Sequence, residues 1–87
     1  MQIEYERRFL RQLRALPKIL QNEIFIAVDK LKDETNHKSI GVHKLQGKLR
    51  DAYSASVNYK IRMIFFYPKG KPRRITLIAV GDHEIYE

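Results

Sequence analysis

An 87-residue chain has room for one domain, so we expect a single domain over residues 1–87. Its hydrophobic fraction of 44% is typical of a globular protein and argues against a disordered chain. The absence of cysteine excludes disulfides and thiolate metal sites. With 17 Lys and Arg against 10 Asp and Glu, the net charge of +7 favours a polyanionic partner.

The sequence gives no sign of export or membrane insertion. Residues 1–9 become charged at Glu4, so they lack the apolar core of a secretion signal. The longest apolar runs, residues 24–28 and 63–67, fall far short of the ~20 residues that span a bilayer. We therefore expect a cytoplasmic protein with no membrane partner.

The first half of the chain predicts a short edge strand followed by a helical hairpin. The strand is predicted at residues 2–5, and from Glu6 the apolar residues Phe9, Leu13 and Leu16 recur at helical spacing. Pro17 ends this helix and suits the start of a second one over residues 18–33. Residues 35–41 are polar and predict a loop.

The second half changes to a period of two, which is typical of strands. Strands are predicted to begin at residues 42–45 and to run over 53–57, 61–67 and 74–80, with a turn at 68–72. A helical hairpin followed by such a meander predicts an α+β fold. The hairpin packs on one face of a three- to four-stranded antiparallel sheet.

The positive charge is concentrated in residues 42–75, which hold nine Lys and Arg against Asp51 alone. Arg62 interrupts an apolar strand, on the same side as Lys60, where a cation is costly unless it reaches solvent, a carboxylate or a phosphate. On the first helix, Arg7, Arg11 and Arg14 form a stripe that is either a solvated face or an RNA contact. Six residues are predicted to bind RNA: Lys44, Lys48, Arg50, Lys60, Arg73 and Arg74.

Cutting RNA without a metal requires a base for the ribose 2′-OH, a cation for the charge that develops on phosphorus, and an acid for the leaving 5′-oxygen. Histidine supplies the acid or base, arginine the cation, and tyrosine a proton or a stacking ring. Outside the helices, the ionisable residues fall in three clusters, which are residues 43–51, Lys60 with Arg62, and residues 82–86. No metal or small-molecule cofactor is expected, because the sequence has neither zinc-ligand spacing nor a glycine-rich phosphate loop.

Three segments, FLRQLRALP, HKLQGKLRDAYSASVNYKIRMIFFY and ITLIAVGDHEIYE, together resemble the RelE/ParE superfamily of toxins from type II toxin–antitoxin systems. The resemblance is strongest to the RelE-like branch. It implies a ribosome-dependent endoribonuclease (an mRNA interferase, hence a hydrolase) that is restrained by a cognate antitoxin protein. By position, Arg62 matches the arginine at the scissile phosphate, His83 the closing histidine and Tyr86 the terminal aromatic. His43 matches a histidine of the branch that uses several.

Two other functions remain open at this point. A ParE-like member binds and inhibits DNA gyrase without cutting RNA, and a non-catalytic nucleic-acid-binding domain needs only the cations. His83 and Tyr86 favour the nuclease branch. His83 is the preferred acid or base, with Tyr86 and His43 assisting, and the sequence leaves the division between acid and base open.

Overall fold

A computed structural model of the protein describes residues 1–49 and 51–86, with the side chain of Tyr86 outside the description. In chain order the main elements are two helices and five strands. They are β1 (Gln2–Tyr5), α1 (Arg7–Arg14), α2 (Lys18–Leu31), β2 (His43–Lys44), β3 (Tyr53–Ser56), β4 (Arg62–Phe66) and β5 (Arg74–Gly81). Short 3₁₀ turns lie at Glu34–Asn36, Gly47–Leu49 and His83–Tyr86. Among the described residues, no helix is long and apolar enough to span a membrane.

The helical hairpin follows the predicted pattern closely. Phe9 and Leu13 on α1 are buried, and α2 buries its own apolar stripe of Ile24, Val28 and Leu31. Pro17 separates the helices, and its carbonyl accepts the first α2 hydrogen bond from Gln21. A proline fits there because its missing N–H has no helical partner at that position.

The sheet has the order β1-β5-β4-β3-β2. The meander β2 to β5 is antiparallel, as predicted, and the short strand at Gln2–Tyr5 lies at the edge. The predicted α+β architecture is confirmed, but the sheet has one strand more than the three to four predicted, because β1 joins it as a fifth strand that runs parallel to β5. A parallel pair needs a long connection, and here the rest of the fold provides it.

One face of the sheet carries the main core. Met63, Phe65, Ile75 and Leu77 are fully buried there against the apolar sides of α1 and α2. Cross-strand partners share a face, so the opposite face holds the row His43, Ser54, Ile64 and Ala79 and the row Ser56, Arg62 and Gly81. We call this second face the open face, because neither α1 nor α2 packs on it.

The open face has a smaller apolar cluster of its own. Ala52, Ile64 and Ala79 are buried there, partly covered by Leu49 and by Ile85 of the C-terminal turn. This cover extends over only part of the face. The face is therefore stabilised in the middle while its charged side chains stay accessible at the margin.

Lys60 does not share the side of Arg62, contrary to the prediction. The Asn58 side-chain oxygen accepts hydrogen bonds from the backbone N–H groups of Lys60 and Ile61, at 2.8 and 2.7 Å. This local side-chain-to-backbone bonding makes a turn that ends just before β4 begins at Arg62. Lys60 therefore lies in the turn, outside the strand alternation on which the prediction depended.

Candidate functional site

A groove of about 580 Å³ opens on the margin of the open face. We call it the central groove. The described residues that line it combine an apolar floor with polar and cationic groups: His43, Leu45, Gln46, Lys48, Leu49 and Arg62. Two of the four predicted catalytic residues, His43 and Arg62, therefore face one cavity.

The structure determines which ring nitrogen of His43 carries a proton in the neutral side chain. Nδ1 lies 2.9 Å from the carbonyl oxygen of Gly41. A carbonyl only accepts hydrogen bonds, so Nδ1 must be the donor, and Nε2 of the neutral ring is then the unprotonated nitrogen. The side chain is exposed on the short strand β2. His43 thus has a free Nε2 of the kind that a general base requires.

Arg62 is held by the turn that precedes its own strand. Its Nη1 donates to the backbone carbonyl of Asn58 at 2.8 Å, and the side chain is only partly exposed. No carboxylate of the described residues forms an ion pair with it. An anchored guanidinium whose charge is not neutralised is well suited to a phosphate, because the remaining donors form a fixed fork.

Asn58 is the residue that organises this corner. In addition to the bonds described above, its Nδ2 donates to Glu23 Oε2 of α2 at 3.0 Å. The turn is thereby tied to the helical layer, and the carbonyl that holds Arg62 is fixed in position. The role of Asn58 was not predicted from the sequence, although an asparagine before a short polar stretch is an ordinary turn signal.

The register gives the separation of the two candidate residues. His43 pairs with Ser54, Ser54 pairs with Ile64, and Arg62 precedes Ile64 by two residues on the same face. Two strand spacings and a rise of two residues put the Cα atoms of His43 and Arg62 about 12 Å apart. Both side chains line the gap between them, so the groove has an imidazole on one wall and a guanidinium on the other.

Lys48 adds a second cation to the groove. It is exposed in the 3₁₀ turn Gly47–Leu49, which begins at a glycine with φ of 73°. Few residues other than glycine adopt this left-handed conformation readily. The turn directs Leu49 into the apolar cluster of the open face, while Lys48 lines the rim.

His83 lies near the groove along the backbone but does not line it. Arg62 pairs with Gly81, and the Cα atom of His83 lies within about 8 Å of that of Gly81 because consecutive Cα atoms are 3.8 Å apart. The side chain of His83 is exposed and is not among the described residues that line the central groove. Arg62 on β4 and His83, which follows β5, therefore lie at the same end of the sheet.

A close contact sets the path of the C-terminal turn. A Cβ atom on Gly81 would lie 2.5 Å from Cγ2 of Ile85, a distance that side chains do not tolerate. Ile85 in turn packs on the apolar cluster of the open face. Gly81 thus lets the turn that carries His83 fold back over the sheet on the side of Arg62.

The other predicted RNA-binding residues are spread over the surface. Lys44 points away from His43 on the same strand and lines a separate groove beside Tyr53 and Tyr67. Lys60 lines a third depression, between its turn and α2. Arg50 and the side chain of Tyr86 lie outside the described residues, so both stay predictions.

Arg73 and Arg74 have partners within the protein. Arg73 forms an ion pair with Glu34 and lies 5.6 Å from the ring centre of Tyr67. Arg74 Nε bonds to Glu4 Oε1 of β1 at 2.7 Å. Their charge is partly neutralised already, so of the predicted set Lys48 has the position best suited to contact a strand in the central groove.

The described residues contain no group of three or more His, Asp or Glu side chains arranged to hold a metal ion. Among the described residues, those that line the central groove include one imidazole and two cations and no carboxylate. Such a set repels a free cation and attracts an anion.

No protein-family model and no curated protein sequence matches this chain. Solved structures do match. A YoeB/ParE toxin from Agrobacterium tumefaciens aligns with a TM-score of 0.76 and 15% identity, over 95% of this chain and 99% of that one. The YoeB dimer of Staphylococcus aureus aligns with a TM-score of 0.72 and 15% identity, over 95% and 97%.

An archaeal RelE–RelB complex from Pyrococcus horikoshii OT3 also contains a similar chain. The TM-score is 0.71 at 21% identity, and the alignment covers 93% of this chain and 92% of that one. At such identities the likeness concerns the fold. The chain has the fold of RelE/ParE-type toxins, which confirms the α+β architecture implied by the sequence resemblance.

Proposed function

We propose that this chain is the toxin of a toxin–antitoxin pair and cuts messenger RNA on the ribosome. The observation that carries the proposal is a single groove lined by two residues. They are His43, whose Nδ1 contact with a carbonyl leaves Nε2 as the basic nitrogen of the neutral ring, and Arg62, which is anchored and has no ion-pair partner among the described residues. The fold of known toxins and the net charge of +7 support it. Because its substrate is an mRNA being translated, we expect the protein to act in the cytoplasm.

The proposed reaction is transfer within the RNA strand. His43 Nε2 takes the proton of a ribose 2′-OH, and the 2′-oxygen attacks the adjacent phosphorus in line with the leaving 5′-oxygen. Arg62 stabilises the charge that develops on the non-bridging oxygens. The P–O5′ bond breaks, which leaves a 2′,3′-cyclic phosphate on one fragment and, once protonated, a 5′-OH on the other.

His83 remains our candidate for the acid that protonates the leaving oxygen. The pairing of Arg62 with Gly81 brings its backbone to the same end of the sheet, and the turn that carries it packs on the open face. Tyr86 is proposed to assist from the same turn. Lys48 and Arg50 are proposed to hold the RNA backbone beside the cut.

A sparse site of this kind relies on the substrate being presented in a reactive geometry. The 2′-oxygen must be aligned with the leaving 5′-oxygen before it can attack, and this alignment costs conformational entropy. If the ribosome holds the mRNA in that geometry, the cost is met on binding and no longer adds to the reaction barrier. We therefore propose that the ribosome orients the mRNA, as the resemblance to the RelE-like branch implies. DNA is not a substrate because it lacks the 2′-OH.

We further propose that an antitoxin neutralises this protein by binding to its apolar surface and basic groove. The side chains of Ile19, Ile26 and Tyr59 are 76%, 60% and 93% exposed, and exposed apolar side chains that lie together mark interaction surfaces. Ile19 and Tyr59 line one depression of about 420 Å³ between α2 and the Asn58 turn. A flexible partner with acidic and apolar side chains suits these surfaces.

The antitoxin proposal is tested by co-expressing the chain with the small open reading frame next to its gene. A stable complex and relief of growth arrest are expected. Ile19→Asp and Tyr59→Ala are expected to weaken the complex, while Lys30→Ala, on an exposed part of α2, is the control. If no neighbouring product binds or relieves toxicity, the pairing is wrong.

The nuclease proposal is tested by inducing the protein in cells and mapping the 5′ ends of messenger RNA. Cuts in register with codons are expected for the wild type, and they should disappear in Arg62→Ala and His43→Gln. Growth arrest with intact mRNA and DNA-damage signalling would point to gyrase instead. RNA binding that both variants retain, with no cuts in any of them, would indicate a non-catalytic binding domain.

A further inference from the structure

We infer that α1 carries a second RNA-binding surface, which takes the phosphate backbone of folded RNA on the side of the sheet opposite to the central groove. The surface consists of Arg7, Arg11 and Arg14, and we call it the arginine stripe. The inference rests on the proposed function: the arginine stripe would hold a structured RNA while the central groove holds the strand to be cut.

The three arginines share one face of a rigid helix. At 100° per residue their Cα atoms fall within about 60° of arc and span about 10 Å along the axis. Together with Leu10 they line a depression of about 490 Å³. All three side chains are exposed, and among the described residues none of them has an ion-pair or hydrogen-bond partner.

The distribution of charge on α1 differs from that of an ordinary solvated face. Such faces mix both signs, as α2 does with Glu23 and Asp29 among its lysines. The eight residues of α1 include four arginines and no acid. Arginines three and four positions apart repel each other in an isolated helix, so the stripe is unfavourable until an anion binds it.

The stripe is also held firmly in place. Phe9 and Leu13 are buried on the opposite side of α1, at 0% and 5% exposure. Gln12 Oε1 accepts a hydrogen bond from the backbone N–H of Val80 on β5 at 2.9 Å. These contacts fix the helix on the sheet, so only the three arginine side chains, and not the helix that carries them, have to be ordered when a ligand binds.

The position of the stripe indicates a separate segment of RNA. The core side of α1 packs on the sheet face that holds Met63 and Phe65, whereas the central groove lies on the open face. The sheet therefore separates the two surfaces. A short single strand lying in the groove does not reach the stripe, so a second segment is required.

The chemistry of the stripe favours folded RNA over a single strand or a peptide. Single strands bind proteins through aromatic rings on which bases stack, and no aromatic side chain among the described residues lines this depression. A peptide needs apolar anchors, which α2 offers at Ile19 and Ile26 but α1 offers only at the half-buried Leu10. A row of guanidiniums carried by a firmly packed helix matches the regular phosphates of an RNA helix.

The test measures binding of full-length protein to a short RNA duplex and to an unstructured RNA of equal charge, over a series of salt concentrations. Both the parent and the variants carry Arg62→Ala so that no strand is cut. Arg7→Gln, Arg11→Gln and Arg14→Gln together are expected to weaken duplex binding at least tenfold. The slope of log K against log salt should flatten by about 2.7, which is about 0.9 for each of three phosphate contacts.

The matched control removes three positive charges from α2 and its C-cap through Lys18→Gln, Lys30→Gln and Lys32→Gln, with folding of each variant checked by circular dichroism. The control is expected to flatten the slope much less, and binding of the unstructured RNA should change little in the α1 variant. If the α1 variant and the control lost duplex affinity equally, the effect would be explained by net charge alone, and the inference would be overturned. Preferential binding of polyglutamate that depends on the stripe would assign it to an acidic protein instead.

The outcomes separate this inference from the proposed function. Loss of duplex binding in the α1 variant, in a protein that never cuts mRNA, would support the stripe and reject the nuclease. Normal duplex binding in the α1 variant, with codon-register cuts by the wild type, would reject the stripe alone.

Discussion

The guanidinium of Arg62 is bound by the carbonyl of Asn58, whose side chain in turn contacts Glu23 of α2. The cation proposed to meet the phosphate is therefore positioned by the helical layer on the other side of the sheet. This relationship makes Asn58 a positioning residue, since it acts on the reaction through Arg62 and touches no substrate itself.

Asn58→Ala is expected to lower the rate of RNA cleavage by about 10- to 100-fold, because misplacement of a catalytic group by about 1 Å has effects of this size. The loss should appear in kcat, with KM for the RNA nearly unchanged. Asn58→Asp keeps the oxygen that accepts from Lys60 and Ile61 but loses the donor to Glu23, so an intermediate rate is expected. Single-turnover cleavage assays measure both effects.

Tyr59→Ala is the control for Asn58, because Tyr59 lies in the same turn with its side chain 93% exposed. It should leave cleavage unchanged. Equal rates for Asn58→Ala and Tyr59→Ala would contradict the positioning role.

The three histidines provide an internal comparison. His43→Gln is expected to reduce cleavage by about 10²- to 10⁴-fold, the usual contribution of general base catalysis. His37→Gln should have no effect, because His37 Nε2 donates to the carbonyl of Leu31 at 2.7 Å, outside the central groove. His83→Gln tests the acid. The cleavage rates of the three variants, measured at the same pH, show which histidines take part in the reaction. An unchanged rate for His43→Gln would contradict its role as the base.

Gly81→Ala is expected to displace the C-terminal turn, because the new methyl group would lie 2.5 Å from Ile85 Cγ2. Overpacking of this kind costs about 1–3 kcal/mol of folding free energy. Cleavage should fall to the level of His83→Gln if the turn delivers the acid. Thermal unfolding and cleavage assays measure the two effects.

Ile85→Ala in the Gly81→Ala background removes the clashing side chain. The double variant is expected to recover part of the cleavage rate that Gly81→Ala loses. A Gly81→Ala protein with normal stability and normal cleavage would show that the turn does not need this close packing.

Burial raises the pKa of the Tyr67 phenol, and Arg73 nearby opposes the shift only in part. The folded protein then holds this proton more tightly than the unfolded chain. The contribution to stability is fully present below pH 10 and is lost as the pH rises through the folded-state pKa. Tyr67→Phe should make the free energy of unfolding depend less steeply on pH as the pH rises above 10, as measured in urea titrations. An unchanged slope would contradict this.

Much of the fold follows from local sequence pattern. The helical spacing of Phe9 and Leu13, the proline at position 17 and the alternation around Met63 correctly predicted both helices and the meander. The parallel pairing of β1 with β5 could not be predicted in this way. It joins residues about 72 positions apart in the chain, and the local spacing of apolar residues does not reveal such a pairing. The count of strands was low for the same reason.

The candidate site was predictable by residue type but not by arrangement. Arg62 stood out because a cation in an apolar strand needs a partner, and His43 was singled out with it. Lys60 was assigned to the wrong side, because strand alternation was extended through a turn that Asn58 side-chain hydrogen bonds create. The role of Asn58 depends on its contact with Glu23, 35 residues away, which no spacing reveals.

The most direct test of the central claim is cleavage of a defined mRNA in a reconstituted translation reaction. One version of the message carries a single 2′-deoxynucleotide at the main cutting position. We predict a 5′-OH and a 2′,3′-cyclic phosphate from the all-ribose message, no cut at the deoxy position, and a rate about 10²- to 10³-fold lower for Arg62→Ala. Continued cutting at the deoxy position, or an unchanged rate for Arg62→Ala, would contradict attack by the 2′-oxygen on a phosphate held by Arg62.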